Sequence, residues 1–179
     1  MNIAPQQMEM FVASQIAENL GGSDRLMEMI LERSNMFRAL TQVRANKGAP
    51  GVDGLSVTQL EGYLKRHWPK IRQDLLDGKY QPRPVRRKEI DKPDGGVRLL
   101  DIPAVLDRLI QQAVLQIVEQ VWDPLFSESS FGFRPGRSQH DAVLRAKSYL
   151  LEGYTYVVDM DLSKFFDRVN HDRLMSRLA

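Results

Sequence analysis

Leu106, Leu109, Ile110, Ala113, Val114, Ile117, Val118, Val121 and Trp122 recur at i, i+3, i+4 and i+7 over more than four turns. A stripe that long and that apolar predicts a core helix, and most of what surrounds it must be built to cover it. The flanking sequence supplies candidates. Ser23 is a plausible N-cap for a helix carrying Leu26, Met27, Ile30, Leu31, Met36, Phe37 and Leu40, ending near Asn46. A second helical pattern resumes at Val57 and runs to Leu76 through Leu60, Leu64, Ile71 and Leu75. Pro69 lies inside it, and because proline lacks the donor a helix interior uses, a break near Trp68 is expected, with Gly78 closing the second piece.

Two short strand-like runs, Val85 to Ile90 and Val97 to Ile102, flank DKPDGG, where Asp94-Gly95 is a hairpin signal because glycine reaches positive φ without steric cost. The hairpin is basic: Arg86, Arg87 and Lys88 lie on one arm, Arg98 on the other and Lys92 at the tip. Beyond the core helix, DPLFSESSFGFRPGRSQHD is a polar loop with three Phe and two Arg, and Ser138 with Asp141 forms the two ends of a capping box for a helix to about Leu150. After Gly153, YTYVVDMDL is rich in β-branched and aromatic residues and reads as a buried strand, with Asn170 capping a last helix. Helices mixed with a hairpin and one further strand make the class α+β.

Charge is bland in sum and uneven along the chain. The 179 residues carry 25 Lys plus Arg against 23 Asp plus Glu, yet Lys65 to Arg98 holds 11 basic and 5 acidic residues. Such a block is a candidate footprint for a polyanion, although a solvated helix face produces the same run. No cysteine is present and His67, His140 and His171 are scattered, which excludes disulfide scaffolds and Cys-based zinc sites. No run has the length a membrane span needs and the N-terminus lacks a signal-peptide pattern, so a cytoplasmic protein without a membrane partner is expected.

The chemistry concentrates at the end of the expected strand. Asp159 and Asp161 are two apart, which on a strand puts both carboxylates on one face. Carboxylates ending an apolar strand need a cation, and Mg2+ binds through one or two carboxylates plus substrate phosphates. Capping of the following turn by either Asp is the alternative.

Here the residues carry a resemblance. DLSKFFDRVNHD resembles the first catalytic motif of reverse transcriptases, in the form found in group II intron-encoded reverse transcriptase/maturases, with bacterial class C enzymes looking nearest. NKGAPGVDG is similar to that family's N-terminal extension motif, EIDKPDGGVRLLDIP to its first fingers motif, and DPLFSESSFGFRPGRSQHDAV to its second, all in the family's order. The resemblance implies N-terminal extension helices and loop over 1–54, fingers over 55–152 and the start of a palm over 153–179. It implies Asp161 as the first catalytic aspartate holding Mg2+, with the Leu162 carbonyl completing the shell, and Phe166 as a steric gate favouring deoxynucleotides. Lys92 and Arg98 would grip the dNTP triphosphate, while Arg86, Arg87, Lys88, Arg134 and Arg137 would meet nucleic acid. The implied partners are an RNA template, a DNA primer, dNTP and group II intron RNA.

One departure matters: the family's second catalytic motif, an aromatic-x-Asp-Asp turn, does not occur, and the chain contains no Asp-Asp pair. One aspartate cannot hold two Mg2+ ions in working geometry, so the chain alone is expected not to polymerise DNA. A truncated palm would leave apolar edges, and self-association is expected. A non-catalytic RNA-binding module and a fragment of a CRISPR-associated reverse transcriptase are the alternatives.

Overall fold

The computed structural model describes residues 25–178 apart from 92, 94, 163 and 164, and excludes the side chains of 166, 167, 177 and 178. The chain divides into two compact units after Ser127. The N-terminal unit contains α1 (Leu26–Ile30), α2 (Arg33–Ala45), α3 (Leu60–Leu76), a hairpin of β1 (Arg86–Asp91) and β2 (Val97–Ile102), and α4 (Val105–Trp122), which runs into a 3-10 turn at Asp123–Leu125. The C-terminal unit contains α5 (Gln139–Leu151), α6 (Phe165–Arg168) and α7 (His171–Leu178). Helices plus an antiparallel hairpin give the α+β class the pattern predicts. No helix among the described residues is long and apolar enough to cross a membrane.

α4 is the axis of the N-terminal unit. Its stripe of Val105, Leu106, Leu109, Ala113, Ile117 and Val121 is buried against Ile30, Leu31, Ala39, Val43, Leu60, Ile71 and Leu75. The first helix predicted from the sequence is in fact two, with a break at Leu31 and Glu32. Asn35, 1% exposed, explains the break. Its side-chain amide donates to the Ile30 carbonyl at 2.8 Å and to the Ala113 carbonyl at 2.9 Å. The end of α1 is thereby capped by a side chain that also ties α2 to α4. Gln116 and Arg38 return donors to the Asn35 Oδ1 at 2.7 and 3.0 Å, so the buried amide is fully paired. Ser23, the expected cap, lies outside the described residues.

The break expected at Pro69 does not occur: α3 is continuous from Leu60 to Leu76. The carbonyl that Pro69 cannot serve belongs to Lys65, and both residues are exposed, so water can take the missing donor's place. Buried Leu60 on one side of the proline and Ile71 and Leu75 on the other anchor both halves of the helix to the core. Gly78 follows the end of the helix, where the Lys79 N–H reaches the Asp74 carbonyl at 2.8 Å.

The larger correction concerns Tyr154 to Leu162. This run is not a strand, and it is not buried: Tyr156 is 96% and Val157 85% exposed. β-Branched residues favour extended backbone, but a strand also needs a ladder partner, and none exists among the described residues. Phe165, at the start of α6, is likewise exposed.

Candidate nucleotide and nucleic-acid interface

The hairpin forms in the expected place. Arg86 pairs with Ile102, Lys88 with Leu100 and Ile90 with Arg98, alternating with Arg87 opposite Asp101, Glu89 opposite Leu99 and Asp91 opposite Val97. Directly paired residues share a face, so the register sorts charge that the sequence presents as one cluster. One face carries Arg86, Lys88 and Arg98 among Ile90, Leu100 and Ile102, with no acid. The other carries Arg87 with Glu89, Asp91 and Asp101 among Val97 and Leu99.

Arg87 is committed to that second face. Its Nε and Nη2 donate to the two Asp101 oxygens at 2.8 and 3.3 Å, and these hydrogen bonds hold the Asp101 carboxyl below the usual carboxylate range. Arg86, Lys88 and Arg98 make no ion pair among the described residues. Lys92, expected at the tip, lies outside the described residues; Gly95 beside it adopts φ 84°, as the turn demands.

Both roots of the hairpin are fastened to the start of α4. Before β1, the Arg83 N–H donates to Asp107 Oδ2 at 3.1 Å and the Tyr80 hydroxyl to Asp107 Oδ1 at 2.7 Å. Asp107 is a buried carboxylate, and these donors satisfy it. Burial, then the bond to Asp107, pushes the Tyr80 hydroxyl above its ordinary pKa. The Arg83 side chain meets Asp53 at 3.0 Å. After β2, Ala104 packs against the backbone of Gly51, where a Cβ would stand 2.6 Å from the Ala104 Cα. Glycine at this position is therefore a requirement of close approach. Arg108 completes the attachment by donating to the Ala49 carbonyl at 2.8 Å. The NKGAPGVDG loop, legible in sequence only as a place of unusual backbone, is the seat of the hairpin.

In the C-terminal unit the two predicted arginines serve their own loop. Arg134 donates to the Ser130 carbonyl at 3.1 Å. Arg137 donates to the Glu128 carbonyl and lies over the Phe131 ring at 5.5 Å. The capping box is present as expected: the Ser138 hydroxyl donates to Asp141 at 2.7 Å and accepts from the Asp141 N–H. The bond from Ser138 holds the Asp141 carboxyl below its ordinary value. Between these residues Phe133 adopts φ 56° and is fully exposed. A bulky residue with positive φ is an outlier, and nothing in the periodicity of the loop announces it.

Asp159 and Asp161 lie on the exposed run after α5. A solvent-exposed carboxylate with a neighbouring backbone carbonyl at Leu162 is the hard-oxygen chemistry that Mg2+ takes, with waters filling the remainder. No group of three or more His, Cys, Asp or Glu that could hold a metal ion gathers around it among the described residues. The Phe166 side chain lies outside the described residues. Asn170 caps α7 as expected, accepting from the Arg173 N–H at 2.9 Å.

Comparison with known proteins connects these pieces. The family model described as reverse transcriptase (RNA-dependent DNA polymerase) matches residues 90–179, from the hairpin to the end of the chain. Protein YkfC of Escherichia coli (strain K12) is 41% identical over 84% of this chain and 41% of its own length. The group II intron-encoded protein LtrA of Lactococcus lactis subsp. cremoris is 36% identical over 84% of this chain and 25% of its own. Nuclear intron maturase 2, mitochondrial, of Arabidopsis thaliana is 39% identical over 40% of this chain and 10% of its own. The chain thus spans less than half the length of these relatives.

Proposed function

We propose, because the chain belongs to the reverse transcriptase (RNA-dependent DNA polymerase) family, that it forms the fingers and first catalytic motif of an RNA-directed DNA polymerase of the group II intron reverse transcriptase/maturase type. The observation that carries this reading is the sorting of charge on the hairpin. One face presents three cations and no acid, while the other is internally paired. A surface of unpaired guanidinium and ammonium groups interleaved with aliphatic side chains suits a phosphate backbone.

In this reading Arg86 and Lys88 meet template phosphates, and Arg98 with Lys92 grips the triphosphate of an incoming dNTP. Arg87 is left with a structural role. Arg134 and Arg137 shape the loop after α4 and bear on the template-primer through it. Asp161 and the Leu162 carbonyl contribute to the Mg2+ site, and Phe166 selects the deoxynucleotide. Bound there, Mg2+ would supply Lewis-acid stabilisation of the phosphoryl transfer. The chain's own residues orient the substrates. Polymerisation belongs to the longer polypeptide whose relatives are twice this length or more, with intron RNA as its further partner.

Binding of an RNA–DNA template-primer across a salt series tests the assignment. Changing Arg86 and Lys88 together to Ala should lower the log–log salt slope by about 2, because each phosphate contact releases roughly one counterion. Arg87→Ala should leave the slope unchanged. Equal effects from both variants would remove the face assignment, and binding indifferent to salt would remove the reading altogether. In the full-length polypeptide Asp161→Ala should abolish primer extension without weakening template-primer binding.

A further inference from the structure

We propose that Phe133, in the loop between the 3-10 turn and α5, is a stacking platform for one unpaired base of the bound nucleic acid. The inference deepens the template-primer reading above and rests on it. The loop is built inside out. Its two cations, Arg134 and Arg137, are half-buried, while the Phe133 ring beside them is fully exposed. Aromatic rings ordinarily turn inward and guanidinium groups toward water, so something local must hold the inversion.

The backbone and its hydrogen bonds supply it. Phe133 sits at φ 56°, a region that a bulky side chain enters only under constraint, and Gly136 follows at φ 67°. The Arg134 side chain donates to the Ser130 carbonyl at 3.1 Å, and the Arg137 side chain donates to the Glu128 carbonyl while covering the Phe131 ring. The Arg137 N–H reaches back to the Arg134 carbonyl at 3.4 Å. Both ends of the loop are fixed to α5, by a hydrogen bond of 2.9 Å between the Ser129 and Tyr149 hydroxyls and by the Ser138–Asp141 capping box. The arginines therefore draw the loop closed over Phe131 and leave Phe133 outside. The ring occupies a strained conformation and buries nothing in the chain, and strain of this kind collects where the geometry serves a ligand.

Three features select an unpaired base. The first is the size of the apolar surface. Between Gly132 and Ser138 the only apolar side chains are Phe133 and Pro135, so the loop tip offers area for one flat partner rather than the broad patch a protein contact needs. The second is room and charge. A Cβ at Gly132 or Gly136 would meet nothing within 4 Å, so the tip is open on both flanks, and the neighbouring guanidinium groups favour the phosphate that accompanies a base. The third is the chemistry of stacking. A base inside a duplex already has both faces covered, whereas an unpaired template base has a face to offer. An aromatic ring accepts any base, which suits a template of any sequence.

An RNA–DNA duplex with a short unpaired RNA overhang, compared with the same duplex blunt-ended, tests the platform in the full chain. Phe133→Ala should weaken binding of the overhanging duplex about tenfold and leave the blunt one unaffected, and Phe133→Trp should retain the affinity. The salt slope of Phe133→Ala should match that of the parent protein, because no phosphate contact is removed. Phe133→Gly should lose the same affinity yet melt no lower than the parent, since glycine adopts this φ freely. A lower melting temperature for the Gly variant would overturn the proposal by showing that the ring packs within the fold. Equal losses on both duplexes would overturn it too, and unchanged affinity in Phe133→Ala would overturn it in favour of a protein contact for the ring. Those three outcomes leave salt-dependent binding by the parent protein in place. Its absence would instead remove the template-primer reading and this inference with it.

Discussion

The two units of this chain are held together by different physics. Every buried apolar side chain among the described residues, from Ile30 to Val121, belongs to the N-terminal unit. In the C-terminal unit no described side chain is buried. Its order comes from local devices: the capping box of α5, the Asn170 cap of α7, and the loop arginines closed on carbonyls within nine residues. The stretch proposed as the first catalytic motif lies in the unit where no described side chain is buried. The proposed binding hairpin is seated on the unit that has a buried core, so the two proposed sites rest on different supports.

That contrast can be broken most directly in the core. Leu109, fully buried, should cost about 3 kcal/mol when changed to Ala, whereas Met160→Ala should leave urea unfolding unchanged because its side chain is 86% exposed. A comparable loss from Met160 would reveal a core in the C-terminal unit and end the comparison. Asn35→Ala should follow at about 2 kcal/mol, since it strips the donor from the Ile30 and Ala113 carbonyls and leaves buried groups unpaired. Its effect should appear in the same transition as that of Leu109.

A pH series sharpens the picture on one group. The folded pKa of Tyr80 is raised by burial and by Asp107, so its contribution is fully present below the unfolded tyrosine value of about 10. It is lost as pH climbs from there toward the folded value. Stability of the N-terminal unit should therefore fall above about pH 10, and Tyr80→Phe, weaker at neutral pH, should show a shallower fall. An identical alkaline slope in both proteins would mean that Tyr80 is not the group responsible. The smallest effect belongs to the exposed run: Asp161→Ala should leave the melting temperature unchanged, and amides of 155–162 should exchange at nearly intrinsic rates while those of α2 and α4 are protected. Protection across 155–162 would restore the strand that the sequence predicts.

What was legible in the sequence is what depends on neighbours in the chain. The α4 stripe, the hairpin with its glycine turn, the Ser138–Asp141 box and the Asn170 cap all involve residues within a few positions of each other, and all formed. What escaped were features decided at a distance. The break before Arg33 is set by Asn35 reaching Ala113, the continuity of α3 by burial on both sides of Pro69, and the failure of Tyr154 to Leu162 as a strand by the want of a partner among the described residues. The site divides in the same way. Alternation alone separates Arg86 from Arg87, but only the register reveals that Arg87 faces Asp101, and neither reveals the αL conformation of Phe133.

The attachment of the hairpin has a mechanical meaning. Both arms are pinned at one place, the first turn of α4, through Asp107 on the incoming side and Ala104 against Gly51 on the outgoing side. Beyond those pins nearly every residue of the two arms is exposed. The hairpin is a cantilever: a load at its tip is borne at a single fulcrum and delivered as torque to the helix that organises the core. Its angle is thus set at its root, by Tyr80, Arg83 and Gly51 among other residues.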